Sequence, residues 1–133
     1  MQVVVFTLKD EEYAVETAKV LSINDMMEIT KIPKAPSYIK GLINLRGNII
    51  SLLDLNLLLN IDNPVEQKNI IIVKVEEEEV GITVDLVNEV LEIDEKIIEK
   101  VEADKKKQYI KGVINFKTKV VTLIDIDKLL PNY

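Results

Sequence analysis

Short apolar runs rich in Val, Ile and Leu recur along the chain, each bounded by a polar or glycine-containing turn, which predicts an all-β protein. Val3 to Leu8 reads as a first strand, Lys9 to Glu12 as a turn, and Tyr13 to Glu16 as the returning strand. Thr17 to Lys19 predicts a short helical turn, and Val20 to Ile29 a long strand with a bend or bulge at Asn24-Asp25. Period-two alternation puts Leu21, Ile23, Met27 and Ile29 on one side of that strand and Met26 and Glu28 on the other. A proline-stiffened loop, Lys31 to Ser37, leads to a hairpin whose apolar arms, Leu42 to Leu45 and Ile49 to Leu53, flank Arg46-Gly47-Asn48. Gly and Asn tolerate the positive φ that short hairpin turns need. Asp54 then caps a short helix with Leu55, Leu58 and Leu59 on one face.

The unit recurs. Tyr109 to Leu130 repeats Tyr38 to Leu59 at 71 positions' distance, with identity at ten of the 22 positions. Val73 to Val87 likewise matches Phe6 to Val20 at an offset of 67. Two copies at so long a period indicate a duplicated half-domain rather than a solenoid. Ile70 to Val75 predicts a strand buried on both faces, Glu76 to Glu79 a solvated turn, and Val80 to Val84 and Val87 to Ile93 the following strands. Asp94 to Ile98 predicts a helical turn, Glu99 to Gln108 a charged loop, and Asp125 to Leu130 a closing helix. Asn60 to Lys68 reads as the linker between copies, dividing one domain of 133 residues into lobes of about 1–62 and 68–133, with room to exchange edge elements. A half of that size buries only about 60% of its unfolded surface, so the two must share a core.

Composition narrows the chemistry. Cys and His are both absent, so thiolate, imidazole and zinc chemistry have no donors in this chain. There is no phosphate-cradling Gly-rich loop and no nucleophile elbow. No metal site, cofactor or catalytic residue is expected, and the output should be a binding surface. A net charge of −6 with one short basic run, Lys105-Lys106-Lys107, speaks against nucleic acid as a partner. No apolar run is long enough to insert into a membrane, and Met1-Gln2-Val3 has no signal-peptide layout, so the cytoplasm is the expected address.

Arg46 is the single arginine among seventeen basic residues, and its repeat equivalent is Lys117. A guanidinium forks onto carboxylates as an ammonium does not, which predicts an ion pair with Glu28 that pins the hairpin to the long strand. Loss of such a pair would cost more than a surface charge is worth. Met26 and Ile39 read either as core residues or as adaptable partner contacts. Gly41 and Gly112 read as sites of close strand approach.

Pro33-x-x-Pro36-x-Tyr38-Ile39-Lys40-Gly41-Leu42-Ile43-Asn44-Leu45-Arg46-Gly47, followed by an apolar strand and Asp54-Leu55, resembles the core of the CheW-like chemotaxis coupling proteins. The resemblance covers nearly the whole chain. It departs from the family pattern at Ser51, where Pro is usual, and at Asn56, where a basic residue often follows. It implies two five-stranded SH3-like β-barrels packed on each other, with short helices after the second hairpin of each. It further implies a non-catalytic adaptor joining methyl-accepting chemoreceptors to the histidine kinase CheA, whose regulatory domain would take a lobe edge. A groove between the lobes would accept the receptor's helical hairpin. By motif, Glu28, Gly41 and Arg46 are the implied contact or supporting positions, with Met26 and Ile39 beside them. A module of another two-component array, or a piece of a larger kinase, is the alternative.

Overall fold

A computed structural model describes residues 1–61, 65–101 and 107–130. Eleven strands appear among them: β1 (Gln2–Leu8), β2 (Glu11–Glu16), β3 (Val20–Asp25), β4 (Ile39–Leu45), β5 (Asn48–Asp54), β6 (Asn69–Val75), β7 (Glu78–Val84), β8 (Leu86–Glu92), β9 (Ile98–Glu99), β10 (Ile110–Asn115) and β11 (Val120–Ile124). Helices α1 (Leu55–Leu58) and α2 (Ile126–Leu129) are one turn each, capped at Leu57 N–H by Asp54 and at Asp127 N–H by Asp125. The short helical turns fall at Thr17–Lys19 and Glu95–Ile97.

The strands form two sheets, ordered β8-β1-β2-β11-β10-β9 and β3-β6-β7-β5-β4. The fold is therefore all-β with two lobes, as the repeat implied, but the lobes are not the sequential halves. One sheet is built from the continuous stretch between Val20 and Val84; the other joins the two ends of the chain. Each sheet takes strands from both copies of the repeat, sealed by parallel pairing of β2 with β11 and of β5 with β7. More than edge elements is exchanged: β1–β2 and β6–β7 are whole hairpins. The first sheet has a sixth strand because Ile98–Glu99 pairs with β10, where the end of a helical turn and the start of a charged loop were expected. Residues 102–106 of that loop and 62–64 of the linker lie outside the described residues.

Three apolar cores follow from strict alternation. Val3 and Val5 of β1 face inward with Ala14, Ile114, Val121 and Leu123, while Val4, Phe6 and Leu8 face the other sheet. In β6, Ile70 and Ile72 join Ile43, Ile50 and Leu52, while Ile71 and Val73 enter the shared core with Val80, Ile82 and Val84. These two strands are buried on both faces, which explains their unbroken Val/Ile runs.

One bulge beside a glycine shapes the second hairpin of each repeat, β4–β5 and β10–β11. The expected long strand stops at Asp25; the chain then leaves the sheet and crosses β4, where Thr30 and Leu42 exchange backbone hydrogen bonds of 2.9 and 2.8 Å. A Cβ on Gly41 would lie 2.4 Å from the Thr30 carbonyl oxygen, and one on Gly112 would lie 2.6 Å from Ile98 Cγ2. The register slips by one residue before each glycine, at Lys40 and Lys111. Gly41 also has φ +150°.

The chain passes between sheets twice, and each crossing is fastened to a short helix. At the β7–β8 crossing, Asp85 is buried and accepts from Lys9 N–H (2.6 Å) and from the wholly buried Asn56 side chain (3.0 Å). At the β2–β3 crossing, Lys19 pairs with Asp127 of α2 at 2.7 Å, both side chains being 40% or more exposed.

Three stability outcomes follow. Gly41→Ala forces a side chain against backbone at a φ it disfavours, costing about 1–3 kcal/mol in urea unfolding. Asp85→Ala leaves buried donors unpaired and should cost about 1–3 kcal/mol. Asp127→Ala, at the exposed fastening, should cost about 0–1 kcal/mol.

Candidate protein-interaction surface

Three lysines are held in their charged form by carboxylates, and one tyrosine is held neutral by burial. Tyr13 is pushed up to about 12, first by burial and then by its hydrogen bond to Glu11 and that residue's charge. Lys19, Lys111 and Lys119 are all raised, led by hydrogen bonds to Asp127, Glu16 and Glu89 respectively. Among the described residues no three His, Cys, Asp or Glu side chains converge as metal ligands. No helix among them is long and apolar enough to cross a membrane.

A concave feature lies on the β4–β5 hairpin. Arg46-Gly47 is a two-residue turn with φ +54° and +86°, the both-positive geometry that matches strand twist. Asn44 Oδ1 accepts from Gly47 N–H at 3.0 Å and steadies it. Beside the hairpin runs an open groove of about 580 Å³, walled by Met27, Glu28 and Thr30 on the crossing segment and by Leu42, Ile43, Asn44 and Ile49 on the hairpin. Ile49 is 65% exposed there, and its repeat equivalent Val120 is 56% exposed. In both repeats this aliphatic position stands outside the core. A smaller opening of about 100 Å³ beside α2 is bordered by Val15, Lys19, Ile124 and Asp127.

The expected site residues occupy different places relative to this groove. Glu28 lines it, and Arg46 stands exposed at the hairpin tip. Met26 packs beneath, against the core of Ile43, Ile50 and Ile72. Gly41 admits the crossing segment that forms the wall, and Ile39 packs against the shared core between the sheets.

Across its full length the chain matches known proteins. The model of the CheW-like domain fits residues 2–133. The chain belongs to the CheW-like domain family. A chemotaxis protein CheW from Thermotoga maritima is 30% identical over 97% of this chain and 87% of its own length. A probable chemotaxis protein CheW from Rhizobium etli is 28% identical over 96% of the chain and 86% of its own. The crystal structure of the scaffolding protein TtCheW from Thermoanaerobacter tengcongensis superimposes with a TM-score of 0.89 at 32% identity, covering 98% of this chain and 92% of that one.

Two expectations change in this CheW-like domain. Arg46 makes no ion pair with Glu28: a left-handed turn residue projects from the hairpin tip into solvent. Leu21 and Ile23 do not share a face with Met27 and Ile29, because the strand ends first; they are exposed, while the latter two pack inward. Sequence reasoning also missed Ile49. Alternation would have found it, since Ile50 and Leu52 point inward and leave Ile49 outside.

Arg46→Ala should therefore change unfolding free energy by less than about 1 kcal/mol, as for an exposed charge. A loss of about 3 kcal/mol or more would restore the buried-pair expectation.

Proposed function

We propose that this chain is a non-catalytic scaffold of a chemotaxis array, joining chemoreceptors to the regulatory domain of the histidine kinase CheA. The observation that carries this reading is the match to a solved scaffolding CheW over nearly the whole of both chains. A groove bordered by aliphatic side chains, one carboxylate and a nearby guanidinium suits an amphipathic helix laid against it, its apolar positions meeting Ile49 and Leu42. The receptor's cytoplasmic tip is such a helical hairpin in the family's scheme. Glu28 and Arg46 then contact partners directly, while Met26, Ile39 and Gly41 hold the surface in shape. The protein works in the cytoplasm, drawn to the membrane through its partners.

Co-elution of the chain with a receptor cytoplasmic fragment and a CheA regulatory domain tests the reading. The wild type should shift into a complex with each. Arg46→Glu should weaken at least one complex tenfold or more with its melting temperature unchanged. If neither partner shifts the wild-type peak, the scaffold reading fails; an unweakened variant removes Arg46 from the contact.

A further inference from the structure

The repeat sets each part of one sheet against a twin in the other. Asn48, where β5 begins, corresponds to Lys119 at an offset of 71, and Glu79 of β7 corresponds to Glu12 of β2 at an offset of 67. The ladders agree: β11 runs parallel to β2 with Thr122 against Tyr13, and β5 runs parallel to β7 with Ser51 against Val80. The two places are the same corner of the fold.

The corners differ in charge. Lys119 carries its ammonium to Glu12 at 3.3 Å and to Glu89 at 3.0 Å, and it lies 5.9 Å from the Phe116 ring. Both carboxylates there have a cation from within the chain. In the twin corner Lys119 is replaced by the short, neutral Asn48 and Glu89 by Ser22, while the glutamate at position 79 is kept. Glu79 and its neighbour Glu78 are exposed, and neither side chain is paired among the described residues. Lys74, opposite Glu79 in the β6–β7 ladder, forms no ion pair with it, and one lysine leaves the run from Glu76 to Glu79 in excess. A hollow of about 390 Å³ opens at this corner, lined by Asn48, Ile49, Ile50, Ser51, Glu78 and Glu79. A carboxylate is held best by a cation that also donates hydrogen bonds to it. One repeat supplies that cation itself, and the other leaves the place open.

We propose that this hollow is a docking site for a basic segment of a partner protein. The segment lays a lysine or arginine on Glu78 and Glu79 with an aliphatic side chain against Ile49, and Asn48 decides which of the twin corners is open to it. A second copy of this chain, at a net charge of −6, does not match that chemistry. The site shares only Ile49 with the groove beside the hairpin, and it rests on the scaffold reading for nothing but the identity of the partner.

Amide shifts of the full chain, followed during titration with a synthetic amphipathic helix of Leu and Lys, test it; a Leu and Glu helix of the same length is the control. The cationic peptide should shift the amides of Asn48 to Ser51 and of Glu78 and Glu79, leave those of Glu12 and Val120 in place, and be released by salt. The acidic peptide should shift none of them. Asn48→Lys, which copies the cation of the twin, should weaken binding by about tenfold or more at an unchanged melting temperature, and so should Glu78→Gln combined with Glu79→Gln. Lys119→Asn should open the second corner, so that Glu12 and Val120 respond as well. Wild-type amides at Glu78 and Glu79 that stay still overturn the proposal. So does binding indifferent to Asn48→Lys, a response to the acidic peptide at the same amides, or a Lys119→Asn variant whose second corner stays silent. Co-elution with the receptor and kinase fragments reads the scaffold role separately, so either reading can fail alone.

Discussion

The structure depends on two strands that have no outside. β1 and β6 each give one face to the core of their own sheet and the other to the core between sheets, so every residue in their centres is apolar. At roughly 25 cal/mol per Å² of buried apolar surface, strands doubly covered in this way contribute more per residue than any other part of a small protein. The arrangement also removes independence. Neither sheet can bury its own strands fully unless the other is in place, so the two lobes are expected to form and to melt as one unit.

The chain's path enforces the same coupling. Because it enters the second sheet after Glu16 and returns after Val84, the sheet spanning Val20 to Val84 is inserted between the two ends that make the first. The crossings are fastened unequally, by a buried amide–carboxylate contact at Asp85 and by an exposed ion pair at Lys19. Asn56, one of the two departures from the family's usual residues, belongs to the buried fastening. A neutral amide there meets Asp85 without requiring a second buried charge.

Much of this was legible in the residues. Helix caps at Asp54 and Asp125, the turn at Arg46-Gly47 and the double burial of Ile70 to Val73 rest on local rules, and local rules are what a sequence states directly; the double burial expected through Val75 stops where Lys74 faces solvent. The repeat gave the number of lobes but not their membership, since identical copies pair as well with each other as with themselves. The end of β3 at Asp25 was hidden for a related reason: Met27 and Ile29 continue the alternation by sitting over a core that the chain reaches only after leaving the sheet. Arg46 was misjudged because rarity in composition is not burial. Its backbone conformation, fixed by the two-residue turn, decides where the guanidinium points. Likewise Glu78 and Glu79 look like turn residues but lie in β7, leaving only Glu76-Glu77 to make the bend.

The exchanged hairpins have a consequence for how such a molecule could arise. One repeat unit on its own would hold two strands of one sheet and three of the other, and would find the missing partners only in a second copy of itself. Joining two copies end to end turns that encounter into an intramolecular one, with the connecting segment supplying effective concentration rather than any new contact. Once joined, the copies were free to diverge, and the left-handed Arg46-Gly47 bend now faces a longer loop at Lys117-Thr118 in its twin.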